Sequence, residues 1–322
     1  MRLIRGVDNL HPTDQDCVAT IGTFDGVHLG HQAVLRQLAE KHRELHLPAV
    51  VVTFEPHPSE YFMPDSAPPR LTRLREKIQL LETCSVDRVL CLRFDQYLAT
   101  MSAQDFIKRI VVDDLRVHCL VVGDDFRFGA GRQGDFPMLQ CAGANHGFSV
   151  VTTPTFDMDG VRVSSTRVRE ALACGDLELA ARLLGRPYRL CGRVAYGDQR
   201  GRTLGFPTAN IHLQRRGAPV RGVFAAEVSG LNGGPAAGIA NVGARPTVDG
   251  THMLLEIHVF DFDRDIYGRY VAIDFLSKLR DEKRFQSLEA LKRQIEIDAQ
   301  QARAYFRQRA GNRRKVKSTE YS

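Results

Sequence analysis

Four short apolar runs, VATIG (18–22), PAVVVTF (48–54), VDRVLCL (86–92) and HCLVVG (118–123), are separated by longer stretches with helical spacing. No other feature of the chain restricts its fold so far. The runs are nearly continuous in Val, Leu and Ile, so the strands they form are covered on both faces. The intervening segments, LGHQAVLRQLAEKHREL, LTRLREKIQLLETC and SAQDFIKRIVVD, read as helices. Alternation of this kind predicts a parallel sheet with helices on both faces. SSTRVREALACGDLELAARLLG (164–185) closes this half with one or two helices. Ser164 or Ser165 is the expected N-cap, and Gly175 and Gly185 are the expected stops.

After Gly185 the rhythm changes. YRLCGRVAYG, FPTANIHL, VFAAEVSG, AAGIANVG, HMLLEIHVFDF and YVAIDFLSKL are short, often alternating, and divided by Gly, Pro, Asn and Asp. That pattern predicts an antiparallel barrel or sandwich. One amphipathic helix follows, SLEALKRQIEIDAQQARAYF. The expected domains are 1–185 and 186–307, with 308–322 a basic, disordered tail. Two domains also suit 322 residues, at about 100–200 residues per domain.

No apolar run approaches the roughly 18–20 residues that cross a bilayer. The start, MRLIRGVDNLHPTDQD, has no long apolar core of a secretory signal. A cytoplasmic protein without a membrane partner is expected. The seven cysteines form no C-x-x-C pair, which argues against a disulfide framework and a zinc site. Six Lys/Arg of the tail RQRAGNRRKVK (307–317) account for the whole net charge of +6, so the body is neutral. A neutral body with a short basic tail does not suit a dedicated nucleic-acid protein.

GTFDGVHLGHQ (22–32) leaves the first strand and enters the first helix. In open parallel sheets ligands sit beyond the carboxyl ends of the strands, and a helix N-terminus there attracts anions. Gly22, Gly26 and Gly30 let backbone approach a ligand, and His28 and His31 lie on one helical face. Packing, metal ligation and phosphate binding all use histidine. A metal reading needs a third ligand, for which Asp25 or His57 could be proposed, but H-E-x-x-H and a cysteine cluster are absent. Gly129-Ala-Gly131-Arg-Gln-Gly134 matches G-x-G-x-x-G, yet its strand ends near Gly123, so the spacing of a dinucleotide-binding turn fails.

CGRVAYGDQRGRTLGFPTAN (191–210) is rich in Gly and Arg, and the chain has no G-x-x-x-x-G-K-[ST]. Phosphoryl transfer still needs a phosphate cradle, a metal holder and a proton acceptor. Gly192, Gly197, Gly201 and Gly205 could form a mobile cradle over ATP. Thr208 and Asn210, alternating on a strand, offer hard oxygen ligands for Mg²⁺. The proton acceptor is best sought in HMLLEIHVFDF, where Glu256 and His258 share the face opposite Leu255 and Ile257.

H-x-G-H at a strand–helix junction resembles the nucleotidyltransferase superfamily, and SSTRVR (164–169) resembles its second signature. VTFEPHP (52–58) and GDDFRFGAGRQGD (123–135) resemble the flavin-side motifs of bacterial FMN adenylyltransferases. PTAN, NVGARPT (241–247), LEIHVFDFDRDIYG (255–268) and KLRDEKRFQSLEAL (278–291) resemble riboflavin kinase, NVGARPT as a loop. From about 15 to 307 the chain is thus similar to the bacterial bifunctional riboflavin kinase/FMN adenylyltransferase family, also called FAD synthetases. The resemblance implies a Rossmann-like α/β nucleotidyltransferase domain, then an antiparallel β-barrel kinase domain with a C-terminal helix.

It also implies ATP-dependent conversion of riboflavin to FMN, then of FMN to FAD, with Mg²⁺. Glu256, His28, His31 and Arg167 would be catalytic. Gly22, Thr23, Phe24, Asp25, Gly26, Gly30, Ser164, Ser165, Thr166, Gly192, Arg193 and Gly205 would meet ATP. Phe54, His57, Pro58, Asp125, Phe128, Arg280 and Phe285 would meet flavin, with Phe126 flanking the same arginine as Phe128. Thr208 and Asn210 would hold the metal. A nucleotidyltransferase with another acceptor would leave PTAN and Glu256 without a role. A non-catalytic flavin- or RNA-binding protein would bind without turnover and with a steep salt dependence.

Overall fold

The computed structural model describes residues 1–196, 205–213, 215, 217–231, 234–247 and 250–319. They form two compact units, Met1–Ser165 and Thr166–Ser322.

The first unit is built on six parallel strands: β1 (Arg2–Arg5), β2 (Cys17–Ile21), β3 (Ala49–Glu55), β4 (Arg88–Arg93), β5 (Val117–Gly123) and β6 (Ser149–Thr153). Their spatial order is β1-β4-β3-β2-β5-β6. Alternate residues feed two cores, as the continuous apolar runs require. Cys17, Ala19, Ile21, Val50 and Val52 face one side, where Phe106, Ile110, Val111 and Leu139 cover them. Val18, Ala49, Val51, Val89 and Val121 face the other, under Leu35, Leu38 and Leu81. The covering helices include α1 (Leu29–Leu45), α2 (Pro58–Phe62), α3 (Leu74–Glu82), α4 (Gln96–Thr100), α5 (Ala103–Phe106, continued by π-helical turns over Ile107–Asp114) and α6 (Phe136–His146). The strand β1 was not foreseen; four residues of RLIR pair with β4 at the sheet edge. Strand order reverses between β2 and β5, so the loops that follow these two strands flank one crevice. The small hairpin β7 (Asp157–Met158) and β8 (Val161–Arg162) completes the unit.

The helices α7 (Ser165–Cys174) and α8 (Leu177–Leu184) meet at Gly175, and Gly185 in the left-handed region ends α8. Contacts of α8 with the strands that follow draw both helices into the second unit, although sequence patterning set the boundary near 185. The second unit is a closed antiparallel barrel of β9 (Tyr188–Ala195), β10 (Ala209–His212), β11 (Gly222–Ser229), β12 (Ala236–Thr247), β13 (Gly250–Val259) and β14 (Tyr270–Arg280). Its interior holds Phe224 and Phe275, packed edge to face with centroids 5.2 Å apart. The helix α9 (Leu288–Thr319) lays Ala302, Tyr305 and Phe306 against Val223, Ala225, Ile239 and Phe260 on the outer face.

Three expectations differ in detail. NVGARPT is the second half of β12 and not a loop, because each residue from Asn241 to Thr247 has a cross-strand partner on β13. Thr208 precedes β10 by one residue instead of lying in it. The last helix continues to Thr319, into the stretch expected as a disordered tail; Arg, Lys, Gln and Ala are good helix formers and extend a helix already nucleated on the barrel.

Candidate functional site

Between β2 and α1 the backbone is strained. Phe24 (φ 47°), Gly26 (φ 83°) and Val27 (φ 42°) all lie in the left-handed region, where a β-branched residue is seldom found. Packing holds them there: Phe24 and Val27 are buried in the sheet core. The buried Asp25 anchors the loop from the other side, accepting from the Leu71 amide (3.1 Å), the Thr72 amide (2.9 Å) and the Thr72 hydroxyl (3.2 Å). Strain of this kind survives only where the surroundings over-determine it, which is typical of functional loops.

The strain aims the histidines. His28 caps α1, its Nδ1 accepting from the His31 amide at 3.3 Å. With Nδ1 accepting, the ring proton of His28 is placed on Nε2. The rings of His28 and His31 stack at 3.7 Å, and Phe24 flanks His31 at 5.1 Å. Gly30 makes room: a Cβ there would meet the His28 ring at 3.2 Å and the Val163 carbonyl oxygen at 3.4 Å. Gly22 likewise clears the Phe24 ring, 3.1 Å from a Cβ. Burial of the ring, and then the nearby His28, Lys77 and Arg162, hold His31 well below the ordinary histidine range. Its Nδ1 is buried and has no hydrogen-bond partner among the described residues. A helix start that points its amides outward beside these two imidazoles, with His31 held neutral chiefly by burial, suits an anionic ligand. Ser165 donates to the Asp25 carbonyl at 2.9 Å, joining the second signature to the first. Ser164 stands just before α7; Thr166 is exposed and Arg167 half-buried in its first turn.

At the ends of β3 and β5 stand the expected flavin-side residues. His57 caps α2, accepting from the Ser59 amide at 3.2 Å, with Pro58 in the first helical turn. Phe54 meets Phe94 edge to face, and Phe94 also meets Tyr61 and Phe62, so an aromatic patch with exposed Tyr61 and Phe62 caps this edge. Sequence reasoning missed that patch, since Phe94 is distant in the chain. Asp125 is exposed and ion-paired with Arg162. Phe128 is only 7% exposed, packed in the core beneath Phe126 at 5.5 Å. The glycine-rich stretch after it is a tight loop, closed by a bridge between Phe128 and Gly134.

In the barrel, strand register assembles the second constellation. Asn210 on β10 and Asn241 on β12 both lie opposite Glu256 on β13. Paired residues on neighbouring antiparallel strands share a face, with Cβ atoms about 4.5–5.5 Å apart. The row continues from Asn241 to Val223 on β11 and to Arg280 on β14. Leu255 and Ile257 point into the barrel, whereas Glu256 and His258 are half-buried on its outer face. His258 Nδ1 donates to the Pro207 carbonyl at 2.8 Å, tying β13 to the PTAN segment. Asn241 was not foreseen as a neighbour of Glu256.

Other residues have structural work. Gly192 and Arg193 lie inside β9 rather than in a mobile cradle. A Cβ at Gly192 would collide with Ile211 and meet the His212 carbonyl oxygen at 2.6 Å, so this glycine lets β10 close the barrel. Arg193 donates to the Gly268 carbonyl at 2.7 Å. Gly205 is exposed with φ 85°, and Gly197 and Gly201 fall outside the described residues. Arg280 is gripped by the buried Asp298 of α9 through bonds of 2.8 and 3.0 Å, its guanidinium 5.7 Å from the Phe285 ring centre.

Residues 10–167 match the family model described as FAD synthetase, and residues 184–306 the one described as riboflavin kinase. The chain is 53% identical to the bifunctional riboflavin kinase/FMN adenylyltransferase of Escherichia coli K12, over 95% of this chain and 98% of that protein. It is 51% identical to the protein of that name from Haemophilus influenzae, over 95% and 99%. A crystal structure described as a macrolide-efflux protein from Streptococcus pneumoniae superposes with a TM-score of 0.81 at 30% identity, over 94% of this chain and 98% of that one. Among the described residues no helix is long and apolar enough to cross a membrane.

Proposed function

The chain belongs to the family of bifunctional riboflavin kinases/FMN adenylyltransferases, and from that membership we propose that it makes FAD in two steps, one in each unit. In the barrel, the 5′-hydroxyl of riboflavin takes the γ-phosphoryl group of ATP, giving FMN and ADP. In the parallel-sheet unit, the FMN phosphate attacks the α-phosphorus of a second ATP, giving FAD and pyrophosphate.

Glu256 accepts the hydroxyl proton in the first step. Thr208 and Asn210 hold Mg²⁺; the fit rests on hydroxyl and amide oxygens, hard donors, one of them directly across the ladder from the base. When bound, the ion neutralises charge on the transferring phosphates. Phe285 offers its ring to the flavin, backed by Arg280. ATP lies toward Gly205, with Gly192 and Arg193 shaping β9 beneath it.

The second step needs no strong base, because its nucleophile is already an anion. Charge stabilisation is the main demand. His28 and His31 lie stacked on each other, and both act with the amides at the start of α1 and with Ser164, Ser165, Thr166 and Arg167. Gly22 to Gly26, with Gly30, line the nucleotide, and Phe54, His57, Pro58 and Asp125 form the flavin side, with the buried Phe128 packed behind Phe126. The substrates are small and diffusible, and we assign the enzyme to the cytoplasm, with no nucleic-acid partner.

The register that sets Glu256 across from Asn210 carries the kinase half of this reading, which the stacked H-x-G-H pair alone would not support. The test is chromatography of products from riboflavin, ATP and Mg²⁺. FMN followed by FAD, with pyrophosphate released in step with FAD, is the expected course. FMN alone would reassign the acceptor of the first unit, and tight flavin binding without any product would refute catalysis.

A further inference from the structure

Lys77, in the first turn of α3, is 3% exposed. Lysines at such depth are rare and usually face a carboxylate. Here the ammonium makes a single hydrogen bond, to the Thr53 hydroxyl at 3.2 Å, and no carboxylate ion-pairs with it among the described residues. The two carboxylates whose charge reaches it are committed elsewhere. Asp25 is taken by the 71–72 backbone, and Glu55 by Arg70 at 2.8 and 2.9 Å. Burial accordingly pulls Lys77 below the ordinary lysine range, with Arg70 acting in the same direction.

Leaving a buried cation so weakly compensated costs stability that an apolar side chain of similar length would not cost. Its position suggests what the cost is for. The Thr53 hydroxyl that accepts from Lys77 donates in turn to the Thr23 carbonyl at 3.4 Å, inside the strained β2–α1 loop. The charge also reaches His31. Lys77 is therefore linked, through one hydroxyl, to the backbone that presents the helix end. An anion arriving there would favour the charged form that burial disfavours.

Resting on the assignment of adenylyl transfer to this unit, we propose that Lys77 is a positioning residue of that reaction: it holds the Thr23–Gly26 loop through Thr53 and raises the positive potential behind the phosphate site. Neither role requires it to touch substrate.

The test uses the full chain with Lys77→Met and Lys77→Arg. For Lys77→Met the rate of FAD formation from FMN and ATP at saturation should fall at least about tenfold, with KM for FMN changed by less than about threefold. FMN formation from riboflavin should be unchanged. The thermal midpoint should be equal or higher, since a buried charge has been replaced by a well-packed apolar group. Lys77→Arg should recover part of the rate. Wild-type turnover in Lys77→Met would overturn the proposal, and so would a loss that merely follows the loss of folded protein. If the wild type itself forms no FAD, the functional reading fails instead. Calorimetry with inorganic pyrophosphate then decides for Lys77: binding weakened about tenfold or more by Lys77→Met supports it, and equal binding refutes it.

Discussion

Replacing Gly30 by alanine should separate stability from catalysis. The added Cβ would lie 3.2 Å from both Cε1 and Nδ1 of His28 and 3.4 Å from the Val163 carbonyl oxygen. Comfortable carbon contacts begin at about 3.5 Å, so the imidazole has to withdraw by about 0.3–0.5 Å. Its capping bond to the His31 amide is already 3.3 Å long, and that displacement takes it out of hydrogen-bonding range. Against this, Gly30 stands in the first turn of α1 without a left-handed φ, so alanine favours the helix by about 0.5–1 kcal/mol. Crowding costs a similar amount, about 1 kcal/mol. Folding stability should thus stay within about 1 kcal/mol of wild type. A misplacement near 1 Å costs about a hundredfold in rate, so a few tenths should cost FAD formation about tenfold. FMN formation should be unaffected. The assay pairs urea denaturation with product chromatography for both steps. A variant that is folded, as stable as wild type and undiminished in FAD formation would refute the idea that Gly30 exists to seat His28.

Three further outcomes are expected. Glu256→Gln should lower FMN formation from riboflavin by at least about a hundredfold while FAD formation from supplied FMN continues, measured by the same chromatography. Asp298→Ala strips Arg280 of its buried partner on α9 and should cost about 3–5 kcal/mol in urea denaturation, whereas a loss below about 1 kcal/mol would mean the pair is solvated. Acid should destabilise the fold partly through His31. Its folded form, held neutral chiefly by burial, refuses a proton that the unfolded chain accepts near pH 6.5. That contribution is present in full above about pH 6.5 and is lost as the pH falls below it, so His31→Asn should flatten the urea midpoint between about pH 5 and 6.5.

Much of this was readable in the chain because the signals are local. β2, β3, β4 and β5 lie where the apolar runs are, since a doubly covered strand can be little else. Gly185 ends α8 as expected, because the left-handed C-cap tolerates glycine best. Glu256 alternates with Leu255 and Ile257 as its pattern required. β1 was missed because four residues at an edge carry too little periodicity. Phe128 and Phe126 could not be told apart, since burial of an aromatic after a strand depends on what covers it.

By itself, then, the sequence determined strands, helices, the change from parallel to antiparallel architecture and the motifs that mark two chemistries, all of which depend on residues within a turn or two of one another. Tertiary structure alone decided who faces whom. Asn210, Glu256, Asn241, Val223 and Arg280 form one row because a closed barrel sets the register of five strands at once. Phe24 and Val27 hold left-handed backbone because the sheet core grips them, and Lys77 is buried because α3 settles over Thr53. Register, strain and burial are set by contacts between segments far apart in the chain, and no local pattern encodes them.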